Sequence, residues 1–115
     1  MKLLRKYDAR ILGEHSDSLL NVKKYVSERH KDKINLVVTL GGDGTLLWAT
    51  GLFKIGPMPP VVSFNYGSVG FMTCYSYDEY HTVLNEIMTS RQLLVDLKRR
   101  IECYAVTEGV RTYFG

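Results

Sequence analysis

The chain has 115 residues, of which 45% are apolar and 23% are charged, and its formal net charge is +3. This usage is typical of a globular domain, and the length allows one hydrophobic core but hardly two. The mild positive charge suits anionic ligands without demanding nucleic acid, no apolar run reaches the length of a membrane span, and the two cysteines are too few for a disulfide framework.

These bounds predict an intracellular protein whose charge suits anionic ligands. We expect neither a nucleic-acid partner nor a membrane partner. We expect the compartment to be reducing, because the chain has few cysteines. The predicted location is the cytoplasm. A mitochondrial or other organellar form stays open, because a removed transit peptide would leave no trace in the sequence.

The amino-terminal third predicts two helices and a short strand. The helices cover residues 2–7 and 16–29, and the strand covers residues 9–12. The second helix is predicted because Leu19 and Val26 recur on one helical face. A buried strand then follows over residues 34–40, where the chain is rich in β-branched residues.

The strand ends abruptly in Gly-Gly-Asp-Gly-Thr at residues 41–45, and a helix is predicted over residues 45–53. Glycines let backbone N–H groups approach a ligand closely, and a helix start adds unpaired donors and a positive dipole end. This combination is typical of a phosphate site. It is neither the lysine-containing phosphate-binding loop nor the Gly-x-Gly-x-x-Gly fingerprint.

Asp43 is the one carboxylate in this turn, where a phosphate would repel it unless it has a task. It could orient a hydroxyl, accept its proton or hold a metal ion. An acid inside a phosphate cradle therefore favours phosphoryl transfer over simple dinucleotide binding. The alternative interpretation is a glycine-rich turn in which Asp43 only caps the helix.

The second half of the chain predicts a further strand, helix and hairpin. A strand over residues 61–64 precedes the run Asn-x-Gly-x-x-Gly-Phe-x-Thr at residues 65–73. A helix is predicted over residues 77–88, opened by a capping box of Ser76 and Glu79. A strand over residues 97–107 turns at Glu108-Gly109 into a partner over residues 110–114.

The alternation of strands and helices predicts an α/β fold with a parallel sheet covered on both faces. In such sheets ligands bind outside the carboxyl ends of the strands, which is where both glycine-containing motifs fall. The sequence therefore predicts one ligand site built from the two motifs.

The two motifs together, in this order and at this spacing, resemble the NAD kinase family, nearer to its eukaryotic branch. The resemblance runs from about residue 35 to residue 107. It implies a Rossmann-like three-layer α/β domain with a mostly parallel sheet over residues 1–96, incomplete, and the first strands of a β-rich second domain over residues 97–115. It also implies transfer of phosphate from ATP to the 2′-hydroxyl of NAD, giving NADP.

The resemblance implies roles for individual residues. Asp43 would activate the 2′-hydroxyl of the adenosine ribose, and Phe71 would lie near the adenine. Asn65 matches an Asn that is found in many members. Mg²⁺ or another divalent cation would arrive with ATP, and no protein ligand for it is assigned. The remaining cofactor-binding candidates, which form the phosphate-facing turn, are Gly41, Gly42, Gly44 and Thr45.

Departures from the family pattern limit what can be carried over. Trp48 stands where some bacterial members have a basic residue. Asn85-Glu86 resembles the family's Asn-Glu motif, but it lies inside a predicted helix, and we expect it to face solvent. The family's own Asn-Glu motif and its Gly-Ser-Thr segment have no counterpart after residue 107. The chain is therefore expected to be an inactive fragment of a homo-oligomeric enzyme.

Two alternative functions are open from sequence. A lipid kinase of the diacylglycerol kinase type shares the Gly-Gly-Asp-Gly-Thr turn, but its second motif is a Gly-Thr-Gly-Asn-Asp-like run that this chain lacks. A non-catalytic dinucleotide-binding module is the other. The second motif of this chain favours NAD over a lipid acceptor.

Overall fold

A computed structural model describes residues 9–17, 22–54 and 56–114 of the chain. The helix predicted over residues 2–7 lies outside this part. In place of the strand predicted over residues 9–12, the model has a two-residue strand β1, Leu12–Gly13.

The helix predicted over residues 16–29 is wrong in the part that is described. Asp17 and Val22 exchange two backbone hydrogen bonds of 2.8 Å, and strand β2, Lys23–Lys24, pairs in parallel with β1. Only Ser27–His30 is helical here, as α1. Pairing with β1 satisfies backbone groups that a helix would have paired internally, and the β-branched Val22 has little to lose by leaving a helix.

The central sheet has three parallel strands in the order β3-β4-β5, which confirms the predicted parallel α/β architecture. They are β3, Val37–Leu40, β4, Val61–Asn65, and β5, Tyr75–Ser76. Helix α2, Asp43–Gly51, connects the first two and packs against β3. The strand–turn–helix unit predicted around the first motif is therefore present, with helix α2 starting two residues early.

The strand register keeps the second motif at one edge of the sheet. Leu40 lies opposite Phe64, so β3 and β4 reach their carboxyl ends together. Strand β5 pairs only with the last two residues of β4, Phe64 with Tyr75 and Asn65 with Ser76. The whole of loop 66–74 therefore leaves and rejoins the sheet at its carboxyl end, beside the turn that precedes α2.

The core lies between the central sheet and helix α3, Tyr80–Thr89. Val62, Phe64 and Leu84 are its buried members, and Phe64 is fully buried. Each large apolar side chain buried here contributes about 1.5–3 kcal/mol. The partly buried side chains packed against these three are Leu36, Val83 and Ile87.

The helix predicted over residues 77–88 is confirmed as a 3₁₀ turn, Tyr77–Glu79, running into α3. The predicted capping box is also present: the Ser76 N–H donates to Glu79 Oε2 at 2.8 Å, and the Ser76 side chain accepts from the backbone of Glu79. Two otherwise unpaired donors at the start of the helix are thereby satisfied.

The predicted hairpin is confirmed, with β6, Cys103–Thr107, antiparallel to β7, Val110–Phe114. Glu108 and Gly109 both have positive φ, at 52° and 79°, as a type I′ turn requires. The strand predicted over residues 97–107 is present only from Cys103, which pairs with Phe114. Upstream, Arg100 donates instead to the carbonyls of Phe53 and Gly56.

Candidate functional site

The first motif forms a tight turn that only glycine permits. Gly41 has φ of 149°, and a Cβ there would lie 2.3 Å from Thr45 Oγ1. Its N–H donates to the Phe64 carbonyl at 2.8 Å, which ties the turn to the end of β4. The chain then enters α2 at once, and Asp43 is the first residue of that helix.

The Asp43 carboxylate joins the two motifs. Oδ2 accepts a hydrogen bond from the Phe71 N–H at 2.9 Å. Oδ1 accepts three, from the Met72 N–H at 3.2 Å, the Thr73 N–H at 3.1 Å and the Thr73 hydroxyl at 3.1 Å. These donors are 28 to 30 residues away in sequence. Three successive backbone amides of loop 66–74 thus wrap one carboxylate.

This cradle keeps Asp43 ionised. Partial burial acts to raise the pKa of its carboxyl, but the hydrogen bonds from Met72, Thr73 and Phe71 outweigh that effect and hold the pKa below its usual value. Its place in the first turn of α2 also favours the anion through the helix dipole. The site therefore presents a fixed negative charge at neutral pH.

Gly70 allows the loop to approach the carboxylate. A Cβ at this position would lie 2.4 Å from Asp43 Oδ1 and 2.7 Å from Cγ, far inside van der Waals contact. The absent side chain is what lets the amides of residues 71–73 reach Asp43. This requirement comes from close approach and not from an unusual backbone angle.

Thr73 and Asn65 hold the loop from behind. Thr73 is fully buried, and its hydroxyl accepts from the Gly70 N–H at 3.2 Å and from Asn65 Nδ2 at 3.3 Å. Asn65 Nδ2 also donates to the Ser68 carbonyl at 2.6 Å, and its Oδ1 accepts from the Gly67 N–H at 2.9 Å. Both N–H groups of the Asn65 amide are therefore engaged inside the loop.

From sequence, Asp43, Asn65 and Phe71 were candidates, but Gly70 and Thr73 had no assigned task. A signal for them exists, because both stand in the second motif: glycine permits close backbone approach, and threonine forms local hydrogen bonds. What the sequence lacked was the knowledge that the first motif's carboxylate lies against them.

Phe71 does not belong to the core, since its side chain is fully exposed. Nearby, the Tyr66 ring stacks on Tyr77 at 4.4 Å and Tyr77 stacks on Tyr80 at 5.3 Å, and Tyr66 itself is exposed. A hydrogen bond with Tyr66 raises the pKa of the Tyr77 hydroxyl. Loop 66–74 thus carries aromatic surface next to the anchored carboxylate.

The other two glycines of the first motif leave open surface. A Cβ at Gly44 would meet nothing within 4 Å, and one at Gly42 would lie no nearer than 3.9 Å to Asn65 Nδ2. Packing among the described residues therefore does not demand glycine at either position. The Thr45 N–H already donates to the Gly42 carbonyl at 3.0 Å.

The described residues do not fit a metal held by the protein. Nowhere in residues 9–17, 22–54 and 56–114 do three His, Cys, Asp or Glu side chains come together as a metal site would need. Oδ1 of Asp43 is already occupied by three donors.

Comparison with known proteins shows the family of the chain. The family model described as the ATP-NAD kinase N-terminal domain matches residues 3–92, which are most of the chain. The chain belongs to the NAD kinase family. The resemblance predicted from the two motifs is thus confirmed.

NAD kinases from plants and yeast are similar in sequence to this chain. A putative NAD kinase 3 of Oryza sativa subsp. japonica is 46% identical over 79 residues, which are 69% of this chain and 16% of the rice protein. The NAD(+) kinase of Saccharomyces cerevisiae is 40% identical over 81 residues, 70% of this chain and 15% of the yeast protein. These eukaryotic relatives agree with the predicted branch.

A solved structure shares the fold. The crystal structure of yeast NADH kinase complexed with NADH matches with a TM-score of 0.56 and 33% identity, over 61% of this chain and 19% of that one. The chain thus spans less than a fifth of the length of each NAD kinase relative named here.

Two further expectations concern the surface of the chain. Asn85 and Glu86 lie within α3 as predicted, but the expectation that both face solvent is wrong for Asn85, which is half-buried, while Glu86 is exposed. Among the described helices, none has the length and apolarity needed to cross a membrane.

Proposed function

We propose that the chain carries the NAD-binding face of an NAD kinase, an enzyme that moves the γ-phosphate of ATP to the 2′-hydroxyl of NAD and forms NADP. The observation that supports this most is the Asp43 carboxylate, fixed by loop 66–74 at the carboxyl end of the sheet beside an exposed Phe71. Family membership supports the reaction class, and this constellation supports an acceptor bound beside Asp43.

In this proposal Asp43 orients the acceptor hydroxyl by accepting its hydrogen bond. The hydroxyl oxygen forms a bond to the γ-phosphorus as the bond to the β-phosphate oxygen breaks, ADP leaves, and the hydroxyl proton is released. A carboxylate whose pKa is lowered is a weak base. Because phosphoryl transfer proceeds through a loose transition state, orientation and charge are worth more here than early removal of the proton.

The flanking residues would bind the rest of the dinucleotide. The exposed Phe71 ring offers a flat apolar surface for adenine. The open turn at Gly41–Thr45 is proposed to lie against phosphate groups, because Gly42 and Gly44 leave room for a ligand to reach the first-turn amides. Asn65 would contribute through the loop that it holds.

Other parts of the proposal concern the whole enzyme. A divalent cation, Mg²⁺ or a similar ion, would be brought by ATP and would neutralise phosphate charge. Residues 1–96 would form the nucleotide-binding unit and residues 97–115 the start of a β-rich domain. We further propose a homo-oligomer located in the cytoplasm or, as some relatives are named mitochondrial or chloroplastic, in an organelle.

The test is Asp43→Asn in the full-length protein. The amide keeps the shape of the carboxylate but loses the charge, and its NH₂ group cannot accept the hydrogen bond from the Phe71 N–H. NADP formation, measured by an enzymatic cycling assay, should fall by about 10²- to 10⁴-fold. Circular dichroism should show that the fold survives.

The matched control is Asp32→Asn, which removes an exposed carboxylate in the 3₁₀ turn Lys31–Lys33 and should leave turnover unchanged. The wild-type protein is also assayed with NADH and with a diacylglycerol. Phosphorylation of the lipid alone would overturn the NAD assignment, and full activity of Asp43→Asn would leave Asp43 only the structural task of holding loop 66–74.

A further inference from the structure

The Thr73 side chain uses its whole hydrogen-bonding capacity although it is completely buried. A threonine hydroxyl has one donor and two acceptor positions. Here it donates to Asp43 Oδ1 and accepts from the Gly70 N–H and from Asn65 Nδ2. A buried hydroxyl satisfied in this way holds its partners in one arrangement.

The two oxygens of Asp43 are left in different states. Oδ1 takes three donors and has no room for a fourth. Among the described residues Oδ2 takes only the Phe71 N–H, so it keeps acceptor capacity. Any hydroxyl that approaches Asp43 is therefore met by Oδ2.

We propose that Thr73, itself held by Asn65, is a positioning residue that saturates Asp43 Oδ1 and so turns Oδ2 toward the acceptor hydroxyl. This inference rests on the proposed function, since it names the atom of that same site that receives the hydroxyl. Thr73 does not touch the substrate; it acts through Asp43.

The hydroxyl and the methyl group of Thr73 can be tested separately. Thr73→Val keeps the buried volume and removes the hydrogen bonds, whereas Thr73→Ser keeps the hydroxyl and removes the methyl group. If Thr73 only fills space, valine is the harmless variant. If Thr73 positions Asp43, serine is the harmless variant, because its hydroxyl can still donate a hydrogen bond to Asp43 Oδ1.

The kinetic experiment uses the full-length protein. Thr73→Val should lower kcat for NADP formation by roughly 10- to 100-fold, since a small misplacement of a reacting group costs rate more than binding, and KM for NAD should change far less. Thr73→Ser should restore most of the rate. The control Thr89→Val removes a hydroxyl that bonds only within α3, to the Asn85 and Glu86 carbonyls, and should leave kcat unchanged.

A second measurement does not depend on turnover. The carboxyl ¹³C resonance of Asp43 is titrated in wild type, Thr73→Val and Thr73→Ser. The donors to this carboxylate among the described residues are uncharged amides and a hydroxyl, and each stabilises the ionised form. Loss of the Thr73 hydroxyl in Thr73→Val should therefore raise the Asp43 pKa, and Thr73→Ser should restore the wild-type pKa. If Thr73→Val does not fold, the titration uses Asn65→Ala instead, which removes the hydrogen bond from Asn65 Nδ2 to the Thr73 hydroxyl.

The two proposals fail in different ways. If wild type makes no NADP but the Asp43 pKa rises in Thr73→Val, the proposed reaction is wrong, whereas the hold of the Thr73 hydroxyl on Asp43 Oδ1 stands. If wild type makes NADP and Thr73→Val keeps wild-type kcat and the wild-type Asp43 pKa, the positioning role is overturned. Equal losses in the valine and serine variants would likewise overturn it in favour of packing.

Discussion

Phe71 is held by its backbone and free at its side chain. Its N–H donates to Asp43 while its ring lies wholly in solvent. An exposed Phe forgoes about 1.5–3 kcal/mol of burial, so folding alone does not explain an aromatic residue at this position. A flat ligand that covers the ring would account for it.

We predict that Phe71→Ala separates binding from stability. Base-on-aromatic stacking is worth about 1–3 kcal/mol, so KM for NAD in the full-length protein should rise by about 5- to 150-fold while KM for ATP stays near wild type. The free energy of unfolding should change by less than about 0.5 kcal/mol, as expected for an exposed position.

The contrasting variant is Phe53→Ala, since Phe53 is buried and packs against Tyr25. It should lose about 3–5 kcal/mol of stability. A loss of that size for Phe71→Ala, with equal changes in both KM values, would contradict an adenine contact.

At the scale of elements, helix α2 and loop 66–74 meet through Gly70. No side chain fits at this position without a shift of its neighbours, because even a methyl group on Gly70 would lie 2.4 Å from Asp43 Oδ1. Either the loop or the carboxylate must move to admit one. The cost falls on the geometry of the site more than on the core, which lies between the sheet and α3.

Gly70→Ala is therefore expected to lower kcat of the full-length protein by about 10²-fold, the effect of a displacement near 1 Å, while the fold is kept. Amide NMR shifts should change for residues 71–73 and little elsewhere. Gly51→Ala, at the exposed end of α2 where a Cβ meets nothing within 4 Å, is the matched control and should keep wild-type turnover. Equal kcat for the two variants would show that the loop has room to yield.

At the scale of the whole molecule, the carboxyl-terminal part leaves large apolar side chains in solvent. Leu94, Leu97 and Ile101 are more than four-fifths exposed, and β7 is exposed along its length. Large apolar side chains exposed in this way become an interaction face or an aggregation hazard where they form a contiguous patch. Arg100 ties this stretch to the carbonyls of Phe53 and Gly56.

We predict that residues 1–115 alone do not catalyse NADP formation. Phosphoryl transfer needs the acceptor, the donor phosphate and the cation held in line, and the described residues supply one anchored carboxylate and its loop. The purified chain is assayed by NADP cycling beside the yeast NAD(+) kinase. Weak NAD binding without turnover is the expected outcome. Turnover within about tenfold of the yeast enzyme would show that the 115 residues hold a complete site.

The sequence by itself determined those features whose signals are local. The turn at Gly41, the capping box of Ser76 with Glu79 and the hairpin at Glu108-Gly109 each depend on residues within a few positions of one another. The parallel α/β architecture also followed, because each strand and helix carries its own periodicity.

Only the tertiary structure decided which residues meet across the sheet. The register of β3 with β4 brings both motifs to one edge, and Asp43 then binds amides 28 to 30 residues away. Pairing between strands decided the two misjudged segments: Lys23–Lys24 pair with β1 within the stretch predicted as a helix, and within the strand predicted over residues 97–107 the pairing with β7 covers Cys103–Thr107. Local propensity cannot predict which segments pair as strands, because the backbone hydrogen bonds of a strand depend on which distant strand lies alongside it.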